Sequence, residues 1–109
     1  MNVSPDVLAA EIAAGSPPAI LDVRSRAEYV RGHVPGAMHI PFWLLPRHIS
    51  RLPASRGDRI VLYCGHGPRA WMAGRVLRAN GFRHVTYLQG HMSAWSRAGL
   101  PQERQPPAK

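Results

Sequence analysis

Arg59-Ile60-Val61-Leu62-Tyr63, running without a break into Cys64-Gly65-His66-Gly67-Pro68-Arg69-Ala70, is the stretch on which the fold turns. The apolar run after Arg59 is of strand length, the clearest strand in the chain, and reads as buried in a parallel sheet. Two glycines and a proline stop it. From Ala70 to about Asn80 the spacing predicts a helix, with Met72, Val76 and Leu77 on its inner face and Gly81 as its stop.

The same rhythm extends in both directions. Upstream, Ser4-Pro5 starts a helix with a capping hydroxyl and proline at the first helical position, and Gly15 ends it. Ala19 to Val23 is a short apolar strand, and Ser25-Arg26-Ala27-Glu28 has the form of a capping box, opening a short helix that closes before Gly32. Ala37 to Ile40 reads as a further strand. Residues 42 to 52 have helical spacing, interrupted by Pro46. Downstream, His84 to Leu88 is a last strand and Gly90 to Arg97 a last helix, with Trp95 inward. Strands alternating with helices imply an α/β domain whose mostly parallel sheet is covered on both faces. Ligands bind such sheets beyond the carboxyl ends of the strands, which is where Cys64 falls.

Composition narrows the function classes. One domain over residues 1–101, with a polar and flexible tail at 102–109, accounts for the 109 residues. No apolar run approaches the roughly 20 residues a membrane helix needs, and residues 1–6 carry no secretory pattern. One cysteine excludes an internal disulfide and a cysteine-built zinc site; a reducing cytoplasm is expected. The 14 basic residues against 6 acidic ones are nearly all arginine, scattered singly rather than in a patch. That pattern argues against nucleic acid as a partner and suits a surface that steers small anions.

Cys64 is the candidate reactive atom, expected to be exposed and so prone to oxidation. Only the thiolate is strongly nucleophilic, and the loop offers two ways of favouring it: the positive end of the following helix and inward-turned amides of a glycine-bearing nest. Pro68 has no N–H, so the expected donors are Gly65, His66, Gly67, Arg69 and Ala70.

Several motifs in register then identify a family. Asp22-Val23-Arg24, Glu28-Tyr29, Gly32-His33-Val34-Pro35-Gly36-Ala37 and Ile40-Pro41 resemble the N-terminal rhodanese motif. Cys64 to Ala70 is similar to the rhodanese active-site loop, and Leu88-Gln89-Gly90 with Trp95 and Gly99-Leu100-Pro101 to the closing motif. The resemblance runs from about Ser4 to Pro101. It implies a three-layer α/β/α fold around a five-stranded parallel sheet. It also implies sulfur transfer through a cysteine persulfide, from thiosulfate or another persulfide donor to a low-molecular-weight or protein thiol, or to cyanide, with no metal and no cofactor. His91 stands where the family often has a second glycine; it is either strained, if an unusual backbone conformation is needed there, or simply the start of the last helix, and in both cases without a part in the chemistry.

The related cysteine phosphatases carry a loop one residue longer than the four residues between Cys64 and Arg69. The tighter loop favours a single sulfur over a phosphate. A binding module or persulfide carrier is the other alternative. Gly65, His66, Gly67, Pro68, Arg69 and Ala70 are thus the expected substrate-binding residues, with Asp22, Arg24 and Glu28 in support. Arg69 either contacts an anionic donor or ties the loop to Asp22 or Glu28. Arg24 is read as salt-bridging or surface-exposed, with an anion contact at the entrance as the alternative. His66 either helps orient a donor or shift the pKa of the thiol, or points to water, and His33 is read as shaping a turn. Trp71 is read as packing or a pocket wall, and Trp43 and Trp95 as core or lid residues.

Overall fold

The computed structural model describes residues 2–52 and 54–104. Five strands, β1 (Asn2–Val3), β2 (Ala19–Asp22), β3 (Met38–His39), β4 (Arg59–Tyr63) and β5 (His84–Leu88), form one sheet in the order β1-β5-β4-β2-β3. Every pairing is parallel. Four helices, α1 (Pro5–Ala13), α2 (Arg26–Arg31), α3 (Pro68–Ala79) and α4 (His91–Arg97), flank it. The expected three-layer α/β/α architecture is therefore present.

Side chains along β4 alternate between two apolar cores. Ile60 and Leu62 point into a cluster completed by Leu45, Ala70, Ala73 and Leu77, so this face is covered by α3 and the segment after β3. Val61 and Tyr63 point into the opposite cluster, with Leu8 of α1 and Met92 and Trp95 of α4. Burial of each such aliphatic side chain is worth roughly 1.5–3 kcal/mol, and this two-sided burial is why β4 lacks polar alternation. The strand order makes the crevice between β4 and β2 a switch point: from β2 the chain moves outward to β3, and from β4 it moves the other way to β5. The loops after β2 and β4 consequently face each other across that crevice.

Local chemistry explains most element boundaries. Ser4 accepts from the Val7 N–H and starts α1. The capping box at Ser25 is formed in both directions with Glu28. Pro46 leaves two short 3-10 turns, Leu45–Arg47 and Ile49–Arg51, where helical spacing suggested one element.

Three expectations need correction. The α3 face against the sheet consists of Ala70, Ala73, Gly74 and Leu77, while Met72 is half-exposed; the small residues let helix and sheet approach closely. Trp43, expected in the core or a lid, is 55% exposed, which excludes the core role alone, whereas Trp95 is buried and donates to the Pro101 carbonyl at 2.8 Å. Gln102 to Arg104, placed by the sequence in a flexible tail, return to the domain. The Glu103 and His33 backbones exchange two hydrogen bonds of 2.9 Å, and Arg104 donates to the Arg31 carbonyl at 3.0 Å. The remainder of that tail, residues 105–109, lies outside the described residues.

Candidate active site

Cys64 is the first residue beyond β4, the middle strand, and it continues the face of Ile60 and Leu62 toward α3. The chain then turns sharply, and α3 begins at Pro68, two residues earlier than its apolar spacing indicates. Gly67 makes this turn with φ 138°, a conformation that favours glycine. Its N–H is thereby aimed at Cys64 Sγ, 3.0 Å away. The Ala70 N–H also bonds the sulfur. Among the described residues, no hydrogen bond to Sγ comes from the amides of Gly65, His66 or Arg69, so the nest is narrower than expected.

A third group reaches the cysteine from α4. The Cys64 N–H donates to His91 Nδ1 at 3.2 Å, and the His91 side chain also favours the Cys64 thiolate. His91, expected to stand apart from the site, is therefore in direct contact with Cys64. Because β5 lies beside β4, the segment that follows β5 lands against the Cys64 loop. The nearest sequence signal is a bulky residue directly after Gly90, at a strand-to-helix junction.

The balance of forces on the thiol follows from these contacts. Burial alone raises its pKa, but the hydrogen bonds from His91, Ala70 and Gly67 outweigh burial and bring it down from 9.0 to about 7. Near neutrality a large share of Cys64 is thiolate.

Accessibility differs from expectation. Cys64 is 0% exposed, not an open thiol. Its inward-facing register and the first turn of α3 put the side chain in the layer between sheet and helix, beneath Gly65 to Arg69. Within that loop His66 and Pro68 are exposed and Gly65, Gly67 and Arg69 are half-buried. The Cys64 side chain is thus covered from solvent by this short segment.

The supporting residues resolve into two ion pairs, one across the switch point and one within the segment that ends β2. Arg69 makes a two-pronged contact with Glu28, Nη1–Oε1 2.6 Å and Nη2–Oε2 3.1 Å, tying the first turn of α3 to α2. This pairing holds the Glu28 carboxyl down at about 2. Of the two roles open to Arg69, the bracing one is formed. Asp22 has a different partner: its carboxylate accepts from the Arg24 Nε and Nη2, the latter at 2.7 Å, and from the Arg24 N–H. Both residues are buried, so Arg24 is no surface residue, and its Nη2 also donates to the Gly32 carbonyl. His33 stacks on Tyr29 at 3.7 Å, is buried and shapes the turn after α2.

Beside the loop is an apolar pocket of about 580 Å³. Trp71, Met72 and Tyr87 line it, together with Gly67 and His91, both of which hydrogen-bond Cys64. Trp71 is thus a half-exposed pocket wall. Among the described residues, no group of three or more His, Cys, Asp or Glu is placed to hold a metal ion, and no helix is long and apolar enough to cross a membrane.

Comparison with known proteins agrees with this geometry. The family model described as Rhodanese-like domain matches residues 4–98. A protein named Sulfurtransferase from Allochromatium vinosum is 37% identical over 82 residues, 75% of each chain. The putative sulfur carrier protein YrkF of Bacillus subtilis is 35% identical over 77 residues, covering 71% of this chain but 40% of its own length. The crystal structure of the Alr3790 protein from Anabaena sp. superposes with a TM-score of 0.85 at 33% identity, covering 95% of this chain and 93% of that one. A parallel five-stranded sheet with a cysteine loop at the end of its middle strand, matched along nearly its whole length, makes this chain a member of the rhodanese-like family of sulfurtransferases and sulfur carriers.

Proposed function

We propose that the protein moves a sulfane sulfur through a persulfide on Cys64, taking it from a small anionic donor such as thiosulfate, or from a persulfide, and giving it to a thiol or to cyanide. The observation that carries this reading is the convergence of the Gly67 N–H, the Ala70 N–H and His91 on one sulfur, which brings the thiol to about 7. In the first displacement the Cys64 thiolate attacks the outer sulfur of thiosulfate. A new S–S bond forms, the old one breaks, and sulfite leaves with the electron pair. In the second, an acceptor thiolate or cyanide attacks the terminal sulfur, and Cys64 departs as thiolate. The acceptor must be external, because the chain has one cysteine. No metal, organic cofactor or nucleic acid enters the scheme, and a reducing cytoplasm suits its free thiol. A formal charge of +8 raises the encounter rate of anionic donors.

Phosphate transfer fits poorly. The loop is short, and the Arg69 guanidinium that would clamp a phosphate is engaged by Glu28. A carrier role has one observation in its favour: a covered Cys64 suits exchange with a protein partner that parts the loop on docking. The test is steady-state turnover of thiosulfate with cyanide. The proposal expects parallel double-reciprocal lines, as for a two-step displacement, and no turnover by Cys64→Ser. Turnover surviving in Cys64→Ser, or hydrolysis of an aryl phosphate without thiosulfate turnover, would overturn it. Sulfur exchange seen only with a protein persulfide would select the carrier reading.

A further inference from the structure

Among the described residues, His91 is the only one other than glycine with a positive φ, 55°. That backbone region disfavours L side chains and is retained mainly where surrounding contacts or function require it. The residue before it, Gly90, has φ 72°, and a Cβ there would lie 2.4 Å from the Ala94 Cβ. Two successive left-handed residues thus turn the chain from β5 into α4. The turn delivers three hydrogen bonds to the cysteine loop: Cys64 N–H to His91 Nδ1 at 3.2 Å, Met92 N–H to the Cys64 carbonyl at 3.0 Å, and Ser93 N–H to the Gly65 carbonyl at 3.3 Å. The Met92 and Ser93 bonds are backbone contacts available to other residues. The His91 bond requires an acceptor at that point of the side chain.

On this geometry we infer that His91 is a positioning residue of the site: its imidazole, set by a left-handed backbone, clamps the Cys64 main chain and holds the sulfur in its reactive state. The inference deepens the sulfur-transfer reading and rests on Cys64 being the acting atom. In the neutral ring, accepting at Nδ1 places the proton on Nε2. Nε2 is the edge nearest Gly67: a Cβ built on Gly67 would lie 3.4 Å from it. The ring therefore packs against both ends of the Cys64–Gly67 turn.

The other charged groups around the cysteine are already engaged. Arg69 of α3 is paired with Glu28 of α2, and Asp22 at the end of β2 is paired with Arg24. His66 of the loop is exposed. His91 is thus the side chain on α4 whose removal changes the sulfur's surroundings without breaking an ion pair.

The test compares wild type, His91→Gly and His91→Asn by following thiolate absorbance near 240 nm against pH, with no sulfur donor present. Glycine suits the left-handed backbone, so His91→Gly keeps the fold while removing the ring. The thiolate fraction at pH 7 is expected to fall at least threefold in this variant, with slower persulfide formation from thiosulfate. Asparagine tolerates positive φ and sets a carbonyl oxygen near the position of Nδ1, so His91→Asn is expected to recover part of the loss. If His91→Gly gains stability from the relieved backbone and its thiol titrates as in wild type, His91 is only structural and the inference fails. The two readings fail separately. Wild type that takes up no sulfur while His91→Gly shifts the titration sinks the sulfur-transfer proposal alone. Wild type that is sulfurated while His91→Gly titrates unchanged sinks the His91 inference alone.

Discussion

Lowering the Cys64 thiol from 9.0 to about 7 links its ionisation to folding. The difference corresponds to roughly 3 kcal/mol favouring the thiolate in the folded chain. At pH 7 about half of the folded molecules carry the thiolate, against about 1% for an unperturbed thiol. The sign follows from linkage. A group with a lower pKa in the folded state contributes nothing while both states are protonated. Its contribution grows as pH rises through about 7, is complete above about 9, and is lost again as pH falls through 7. Urea unfolding of wild type and Cys64→Ser at pH 6 and at pH 9.5 isolates it, since all other titrating groups are shared. Wild type should gain up to about 3 kcal/mol over the variant between the two pH values, and the 240 nm absorbance of the native protein should rise with a midpoint near 7. A midpoint near 9, or equal pH dependence of the two proteins, would refute the reasoning that the amides and His91 outweigh burial.

Further outcomes follow from the surrounding contacts. Glu28→Gln removes one side of the pair that ties α3 to α2, and should cost about 1 kcal/mol at pH 7. Since Arg69 holds Glu28 at about 2, that contribution is complete above the ordinary carboxyl value of 4.5 and is lost as pH falls toward 2; the gap in urea stability should therefore narrow at pH 3, and an unchanged gap would contradict the pairing. Asp22→Ala leaves the buried Arg24 guanidinium without its carboxylate and should cost about 3–5 kcal/mol, with Asp22→Ala/Arg24→Leu recovering much of it. Gly74→Ala places a Cβ 2.0 Å from the Tyr87 hydroxyl. The overpacking cost of about 1–3 kcal/mol exceeds the roughly 1 kcal/mol gained in helix propensity, so Tm should fall, and Tyr87→Leu in the same chain should restore it.

Elements with a local cause were legible in the sequence. β2, β4 and β5 are apolar runs, α1 and α2 carry capping residues, and Cys64 stands at a strand-to-helix junction. β1 was not legible: two residues carry no periodicity, and Asn2–Val3 becomes a strand only by pairing with Tyr87 and Leu88. The inner face of α3 was misjudged because hydrophobic size pointed to Met72, whereas close approach to β5 selects Ala73 and Gly74. The site showed the same division. The loop residues follow Cys64 directly in the chain and were found. The choice of Glu28 over Asp22 as the partner of Arg69 depends on side-chain reach across the crevice. His91 lies 27 residues from Cys64, and only the adjacency of β4 and β5 brings them together. The covering of Cys64 is a matter of register, since the cysteine continues the inward face of Ile60 and Leu62.

Sulfur uptake by Cys64 is read out by intact-mass spectrometry after incubation with thiosulfate. A gain of one sulfur, about 32 Da, is expected on wild type and none on Cys64→Ser, with the added mass removed by cyanide or a thiol. Wild type of unchanged mass, while its thiol is shown to ionise near neutral pH, would contradict sulfur transfer through Cys64.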